Sequence, residues 1–332
     1  MMRRNTERRM QNVEFRNGGR VALFFILHSA FCVLHSFASP STAILLPGDH
    51  RIELTHAGLQ RSYIVHVPPG ASTPRPVVFN LHGGGSNGEA QQRYTQMDSV
   101  ADRDHFIVVY PNGSGRGRFL VWNAGTCCGA APAKRIDDVG FIRAVIDDLA
   151  KRVPVDRSRV YATGLSNGSM MSYRLAAEAP DLVAAIAGVS GSMVVMQFHP
   201  TLPVPIMHFH SVDDPRALYN GGLGPPFPGT TTRALHPPVE QQLAKWIAHN
   251  GCPSTPKIEK RLSGEGNTAT KLVYAPCSSG APVVFWKMSG SGHVWPGKDA
   301  VPMAKRVLGK PTHLIDANEE IWAFFKQFVR AH

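Results

Sequence analysis

No stretch of this 332-residue chain interleaves lysines or arginines with aromatics, so a nucleic-acid groove is not among its readings despite a formal charge of +11. No internal repeat and no low-complexity linker divides it, which leaves one large α/β domain, or two small ones, with a substantial core. Cysteine is scarce at five residues, and no Cys-x-x-Cys or His-x-x-x-His spacing surrounds them. That excludes a zinc site of ordinary pattern. The glycine run after Leu81 lacks the Lys-Ser/Thr ending of a phosphate-binding loop, and the dinucleotide spacing is also missing. No metal and no cofactor is expected.

The apolar run from Val21 to Ala38 is short for a membrane span and contains His28 and His35. It follows a polar, basic segment, residues 1–20, and ends in Ser36-Phe37-Ala38, a small-x-small pattern. This is the n-, h- and c-region order of a secretory signal. Residues 1–38 are therefore expected to be an export segment and residues 39–332 a single catalytic domain, secreted or periplasmic. The long basic start makes Met10 a candidate first residue. Removing the segment's six arginines and two glutamates from +11 leaves +7. Such an excess would suit an anionic polymer surface, but plain solubility is the preferred reading. Cys32 follows Phe31, which does not fit a lipoprotein box, and it goes with the discarded segment. Cys127, Cys128, Cys252 and Cys277 remain, an even number in an exported chain, which argues for disulfides. Pairing Cys252 with Cys277 would close a moderate loop. The adjacent Cys127 and Cys128 would bond to each other, stay as thiols, or cross-pair with the other two.

From about residue 60 short apolar runs alternate with helical patterns. Ser62–Val67, Val77–Leu81, Phe106–Tyr110, Arg159–Thr163, Val183–Ala187, Pro205–His210, Lys271–Tyr274 and Val283–Met288 read as strands. Val139–Leu149, Gly168–Ala177, Val239–His249 and Ala317–Val329 read as helices. Short apolar strands alternating with helices predict an α/β fold with a mostly parallel, doubly wound sheet covered on both faces. Ligand groups gather at the carboxyl ends of such strands. The Gly-, Pro- and Thr-rich stretch 221–238 reads as a surface loop walling one side of the cleft.

Gly164-Leu-Ser-Asn-Gly168 sits between a strand and a helix, the context that makes G-x-S-x-G a nucleophile elbow. A serine hydroxyl needs a base, and the base needs an orienting acid. The expected order is serine, acid, histidine. His210-Ser-Val-Asp-Asp-Pro215 follows a strand and offers Asp213 or Asp214 as the acid. Ser289-Gly-Ser-Gly-His-Val-Trp-Pro-Gly297 offers His293 on a small-residue loop ahead of the last helix. His208 and His210 lie on a strand and read as packed or hydrogen-bonded there. The tetrahedral oxyanion needs preorganised donors. These are expected to be the backbone N–H of Asn167 and that of Gly84, with Gly85 next, in Leu81-His-Gly-Gly-Gly-Ser-Asn-Gly88.

With those residues in place, the chain resembles the secreted α/β-hydrolase esterases of the polyhydroxybutyrate depolymerase and feruloyl/acetylxylan esterase type, carbohydrate esterase family 1. The matching stretches are Leu81–Gly88, Trp122-Asn-Ala-Gly-Thr-Cys-Cys-Gly129, Asp137-Asp-Val-Gly-Phe141, Gly164–Met171, Asn250-Gly-Cys252 and Gly292-His-Val-Trp-Pro-Gly297. The resemblance implies an α/β-hydrolase fold, an ester substrate, Asp214 as the acid and a Cys252–Cys277 bridge. Ser211 departs from the glycine usual there, which keeps Asp213 in play. Trp122 and Trp295 are expected either to offer flat faces to a sugar or aromatic acyl group or to pack beside the cleft. The lack of a linker and a binding module favours a soluble oligomer or a polysaccharide-linked ester over a solid polyester. Acyl transfer or peptide hydrolysis on the same triad, and an inactive wall-binding scaffold, are the alternatives.

Overall fold

The structure, a computed structural model, describes residues 44–227, 231–299 and 305–330. The expected export segment at residues 1–38 lies outside them. Strands β1 (Gly48–His56), β2 (Leu59–Val67) and β3 (Arg75–Leu81) come first. Helices α1 (Gly88–Thr95) and α2 (Asp98–Asp104) lead to β4 (Ile107–Pro111) and to a hairpin of β5 (Ser114–Arg116) and β6 (Phe119–Val121). The alternation continues through α3 (Asp138–Leu149), β7 (Val155–Leu165), α4 (Asn167–Glu178), β8 (Ala185–Val189) and β9 (Ile206–Ser211). A second hairpin, β10 (Gly222–Leu223) with β11 (Leu235–His236), precedes α5 (Val239–His249). Then follow β12 (Lys257–Gly264), β13 (Asn267–Tyr274), β14 (Val283–Ser289), α6 (Lys305–Leu308) and α7 (Ala317–Phe325).

Ten strands form one sheet in the order β1-β2-β4-β3-β7-β8-β9-β14-β13-β12. The centre, from β4 to β14, is parallel, and antiparallel pairs flank it on both sides. Alternate residues of the central strands feed two separate cores, as the two-residue period of a strand requires. Val77, Phe79, Ile107 and Val109 pack with Phe141 of α3, Met171 of α4 and Trp246 of α5. Val78, Val108 and Tyr110 pack on the other face with Val100 of α2 and Trp322 of α7. The sheet is thus buried on both sides, which is why its strands read as unbroken apolar runs. The order β3-β7-β8-β9-β14 brings the carboxyl ends of β3, β7, β9 and β14 to one edge of the sheet, where the chemistry-bearing loops leave.

Local sequence explains several joints. The Asp137 side chain caps α3 by accepting from Gly140 N at 2.9 Å. Asp138 is fully buried, accepting from Arg61 Nη2 and from Asn123 N, each at 2.7 Å. Asn250 donates to Val204 O at 2.8 Å and Ala281 O at 2.9 Å, tying the end of α5 to the sheet. Cys252 is bonded to Cys277, and Cys127 to Cys128. Cross-pairing between the two sets is therefore not formed.

At the β1–β2 edge His66 is held at both ring nitrogens, by Asp49 Oδ1 at 2.6 Å and Asp102 Oδ1 at 2.9 Å. Asp49, His66 and Asp98 bring possible metal-ligand atoms within 4.8 Å of one another. Their atoms are already engaged, Asp98 by Tyr110 at 2.7 Å and Gln92 at 2.9 Å, so the group reads as a hydrogen-bonded strut. Burial pulls the His66 imidazole down, but the hydrogen bonds to Asp102 and Asp49 and the surrounding carboxylates outweigh it and raise it. A raised folded value means that the stabilisation is fully present below the unfolded value, about 6.5, and is lost as pH rises through the folded one. His66→Gln is expected to lower Tm by about 2 °C at pH 5.5 and by less at pH 9. Melting curves of both proteins at the two pH values check this; an equal loss at both would show that protonation is not involved.

Candidate active site

β7 ends at Leu165 and α4 begins at Asn167, so one residue makes the reversal. Ser166 makes it with φ 57° and ψ −117°, a conformation that L-residues rarely adopt. The turn is held by Ser166 N donating to Val189 O at 2.8 Å and Met170 N donating to Ser166 O at 3.0 Å. It is also possible only because its neighbours are bare. A Cβ on Gly168 would collide with the carbonyl oxygen of Leu81, and one on Gly191 with that of Ser166. A Cβ on Gly164 would lie 2.6 Å from both the Leu81 oxygen and the Gly168 carbonyl carbon. These obstacles are backbone atoms and cannot swing aside. Gly168→Ala is expected to cost about 3 kcal/mol of stability. Urea unfolding checks it, and a variant within about 0.5 kcal/mol of the native chain would contradict the close approach.

His293 stands on the loop after β14. Its Nδ1 lies 2.8 Å from Asp214 Oδ2. Asp214 is 4 % exposed and follows β9. Its other oxygen, Oδ1, accepts from Arg216 N at 2.8 Å and Ala217 N at 2.9 Å, so the carboxylate is fixed in orientation. Burial pushes the Asp214 carboxyl up, but the facing His293 and His210 and these hydrogen bonds outweigh it, holding it below the usual carboxylate range. The carboxylate therefore stays ionised and can stabilise a positive imidazole. Asp213 is exposed and does something else: its Oδ2 accepts from Gly290 N at 2.7 Å, pinning the loop that carries His293. Ser211 pins the same loop by donating to Ser291 O at 2.5 Å. The departure from glycine at 211 thus supplies a clamp and leaves Asp214 as the residue facing His293.

Behind Asp214 runs a buried chain of side chains. His210 Nε2 faces Ala217 O at 2.7 Å, and a carbonyl only accepts, so this nitrogen carries the proton. His210 Nδ1 then accepts from His208 Nε2 at 3.1 Å, and His208 Nδ1 accepts from the Tyr173 hydroxyl at 3.1 Å. Burial pushes both imidazoles down, which agrees with two neutral rings of one tautomer. Their sequence reading as hydrogen-bonded strand residues matches this arrangement.

A cavity of about 320 Å³ opens on this side of the sheet, lined by Ser166, His293 and Gly84 among others. A Cβ on Gly84 would sit 3.5 Å from Asn167 Cβ, so the loop after β3 packs directly against the start of α4. Gly85 N–H is already spent on Leu120 O at 2.8 Å, whereas the Gly84 and Asn167 amides donate to no group among the described residues. The Asn167 side chain locks the turn further, accepting from Trp122 N at 2.7 Å and donating to Trp122 O at 3.2 Å.

Trp122 and Trp295 offer substrate no face. Both are fully buried, and neither lines the cavity. Trp122 Nε1 donates to His82 O at 3.0 Å, and Trp295 Nε1 donates to Asn318 Oδ1 at 2.9 Å. Their aromatic area is spent on packing the loops that hold Asn167 and His293, and the expectation of a stacking role is corrected accordingly. The walls come instead from Tyr94, Met170, Phe227, Ala234 and His236, with Cys128 at the margin. Three of these, Phe227, Ala234 and His236, belong to the Gly-, Pro- and Thr-rich loop. Its composition marks a wall, but an aperiodic loop does not say which side chain turns inward.

Comparison with known proteins agrees with this architecture. The family described as "Esterase PHB depolymerase" matches residues 61–248. "Putative esterase NocK" of Nocardia uniformis subsp. tsuyamanensis is 31% identical over 263 residues, covering 74% of this chain and 73% of that protein. Feruloyl esterase C of Emericella nidulans is 27% identical over 274 residues, covering 80% and 83%. Among solved structures, an acetyl xylan esterase from Aspergillus awamori superposes with a TM-score of 0.51 at 18% identity, over 78% of this chain and 97% of that one, which establishes the shared α/β-hydrolase fold. A family match across more than half of the chain, on a fold whose strand ends converge on an elbow serine, makes this protein a member of the polyhydroxybutyrate-depolymerase esterase family and a carboxylic ester hydrolase.

Proposed function

We propose that Ser166, His293 and Asp214 form the catalytic triad of an exported serine esterase. The observation that carries the reading is the 2.8 Å contact between His293 Nδ1 and a buried, doubly anchored Asp214, at a cavity that Ser166 also lines. Ser166 Oγ attacks the ester carbonyl and its proton passes to His293 Nε2. Asp214 holds the imidazole and offsets its new charge. The Gly84 and Asn167 amides receive the oxyanion. The tetrahedral adduct collapses, the C–O bond to the alcohol breaks, and His293 returns the proton to the departing oxygen. A water then gives His293 a proton as its oxygen attacks the acyl carbon; the bond from the acyl carbon to Ser166 Oγ breaks, His293 returns the proton to Oγ, and the acid leaves.

The substrate class follows the relatives' names. Feruloyl esterase C and acetyl xylan esterase act, by those names, on feruloyl esters and acetylated xylan. The basic residues 1–20, the apolar run to Ala38 and the small-x-small end support export, with residues 39–332 as one catalytic domain. Among the described residues no helix is long and apolar enough to cross a membrane.

The test is hydrolysis of methyl ferulate, acetylated xylo-oligosaccharides and a hydroxybutyrate oligomer by the full mature chain, with acid and alcohol both quantified. Equimolar acid and alcohol from one substrate class supports hydrolysis and names the branch. Alcohol released without acid would point to acyl transfer, and no release from a folded protein would overturn the reading.

A further inference from the structure

His236 has a role that the triad does not use. It ends β11, pairs with Gly222 of β10, and is 8 % exposed, yet it lines the same cavity as Ser166 and His293. Its Nδ1 is buried without a hydrogen-bond partner, and neither ring nitrogen bonds to any group among the described residues. A buried polar atom left so costs about 1–3 kcal/mol unless a ligand or water satisfies it. The ring is nonetheless held in place. A Cβ on Gly224 would lie 2.9 Å from His236 Nε2 and 3.0 Å from the Arg216 carbonyl oxygen, so the imidazole packs closely against bare backbone there. Other polar groups on the wall already have a partner, Gln91 donating to Asn80 at 2.8 Å, the Tyr94 hydroxyl accepting from Trp295 N at 3.0 Å, and Arg216 donating to Pro226 O at 3.1 Å, whereas the His236 ring has none among the described residues.

Burial pushes the His236 imidazole down to about 4, and His293 nearby pushes the same way. At neutral pH it is therefore uncharged, with one N–H and one lone pair. A hydroxyl, which both donates and accepts, matches either tautomer of this ring; a carboxylate gains no ion pair from a neutral imidazole. The residues beside it in the wall, Pro225, Phe227 and Ala234, are apolar and suit a carbon body. Phe227 also reaches the oxyanion side, its Cε1 lying 3.8 Å from a Cβ built on Gly84. Of the two halves of an ester, the acyl half stays attached to the serine through both steps. The alcohol half must leave.

We propose that His236 is a specificity-determining residue that hydrogen-bonds a hydroxyl on the acyl group of the substrate. This rests on Ser166 being the acylated residue. A site built to bond a substrate hydroxyl discriminates against the analogue lacking it, because its own buried group is then left unpaired.

The test uses 4-nitrophenyl esters, so that the leaving group never changes. Butyrate is paired with 3-hydroxybutyrate, and cinnamate with 4-hydroxycinnamate. The native chain, His236→Phe, His236→Gln and a Ser166→Ala blank are assayed on all four. The native protein is expected to prefer the hydroxylated member of at least one pair by about tenfold or more in kcat/KM. His236→Phe removes that preference by slowing the hydroxylated ester about tenfold to a hundredfold, leaving the plain ester within about threefold. His236→Gln, which keeps a hydrogen-bonding amide, restores part of it. Equal losses on both members of a pair, no native preference, or a preference that survives in His236→Phe would overturn the proposal. Native-level turnover in Ser166→Ala would instead overturn the triad, and that outcome is read separately from the ratio within each pair.

Discussion

Ser166→Ala is expected to lower kcat for ester hydrolysis by about a million-fold, the scale on which loss of a serine nucleophile acts when its base and oxyanion donors remain. The residue that disappears is one oxygen at the turn between β7 and α4. The turn itself is held by backbone hydrogen bonds of residue 166, 2.8 Å to Val189 O and 3.0 Å from Met170 N, and alanine keeps both. Alanine at φ 57° is no more strained than serine, so Tm should stay within about 2 °C. Steady-state kinetics with a burst-free blank, beside a melting curve, separate the two effects. A folded variant that retains more than about one per cent of native turnover would remove Ser166 from the mechanism.

Asp214→Asn should cost about ten-thousandfold in kcat, while Asp213→Asn should stay within about threefold. The difference follows from the hydrogen bonds. Arg216 N and Ala217 N both donate to Asp214 Oδ1, so an asparagine must leave its carbonyl oxygen there. Its NH2 then takes the place of Oδ2, 2.8 Å from His293 Nδ1, and donates to that nitrogen. His293 is forced to carry its proton on Nε2, the atom that has to receive the serine proton. Asp213 only accepts from Gly290 N, a bond that an asparagine oxygen makes equally well. Parallel kcat measurements of the two variants decide between adjacent carboxylates. Similar losses in both would mean that the loop, and not the tautomer, is what each aspartate controls.

The parts of this fold that the sequence reveals are the parts where burial leaves one period. The central strands are covered on both faces, and their unbroken apolar runs locate β4, β9 and β14 to within about a residue and β3 to within about two. Strand β1, Gly-Asp-His-Arg-Ile-Glu-Leu-Thr-His, is half-buried at a sheet edge, and its mixed composition carries no comparable signal. The edge strand β12 is largely exposed and hides for the same reason. The serine and histidine are legible because each needs small residues around it for steric reasons, and Gly164, Gly168 and Gly292 are such residues. The resemblance favours Asp214 over Asp213, but Asp-Asp-Pro by itself leaves both open, because the choice depends on which carboxylate turns inward after β9. Trp122 and Trp295 show the same limit in reverse. Composition marks them as aromatic faces near the cleft, but only the packing of the 81–88 and 289–297 loops reveals that those faces are used up. His236 lies where neither period nor motif operates.

The most direct measurement is covalent labelling of the native chain with a fluorophosphonate, followed by intact-mass and peptide analysis. An activated serine attacks the phosphorus, displaces fluoride and keeps the phosphonyl group on its oxygen. One adduct per chain is predicted, on the peptide containing Ser166, absent in Ser166→Ala and strongly slowed in His293→Gln. A folded, ester-hydrolysing protein that takes no label, or carries the label on another residue, would contradict the account.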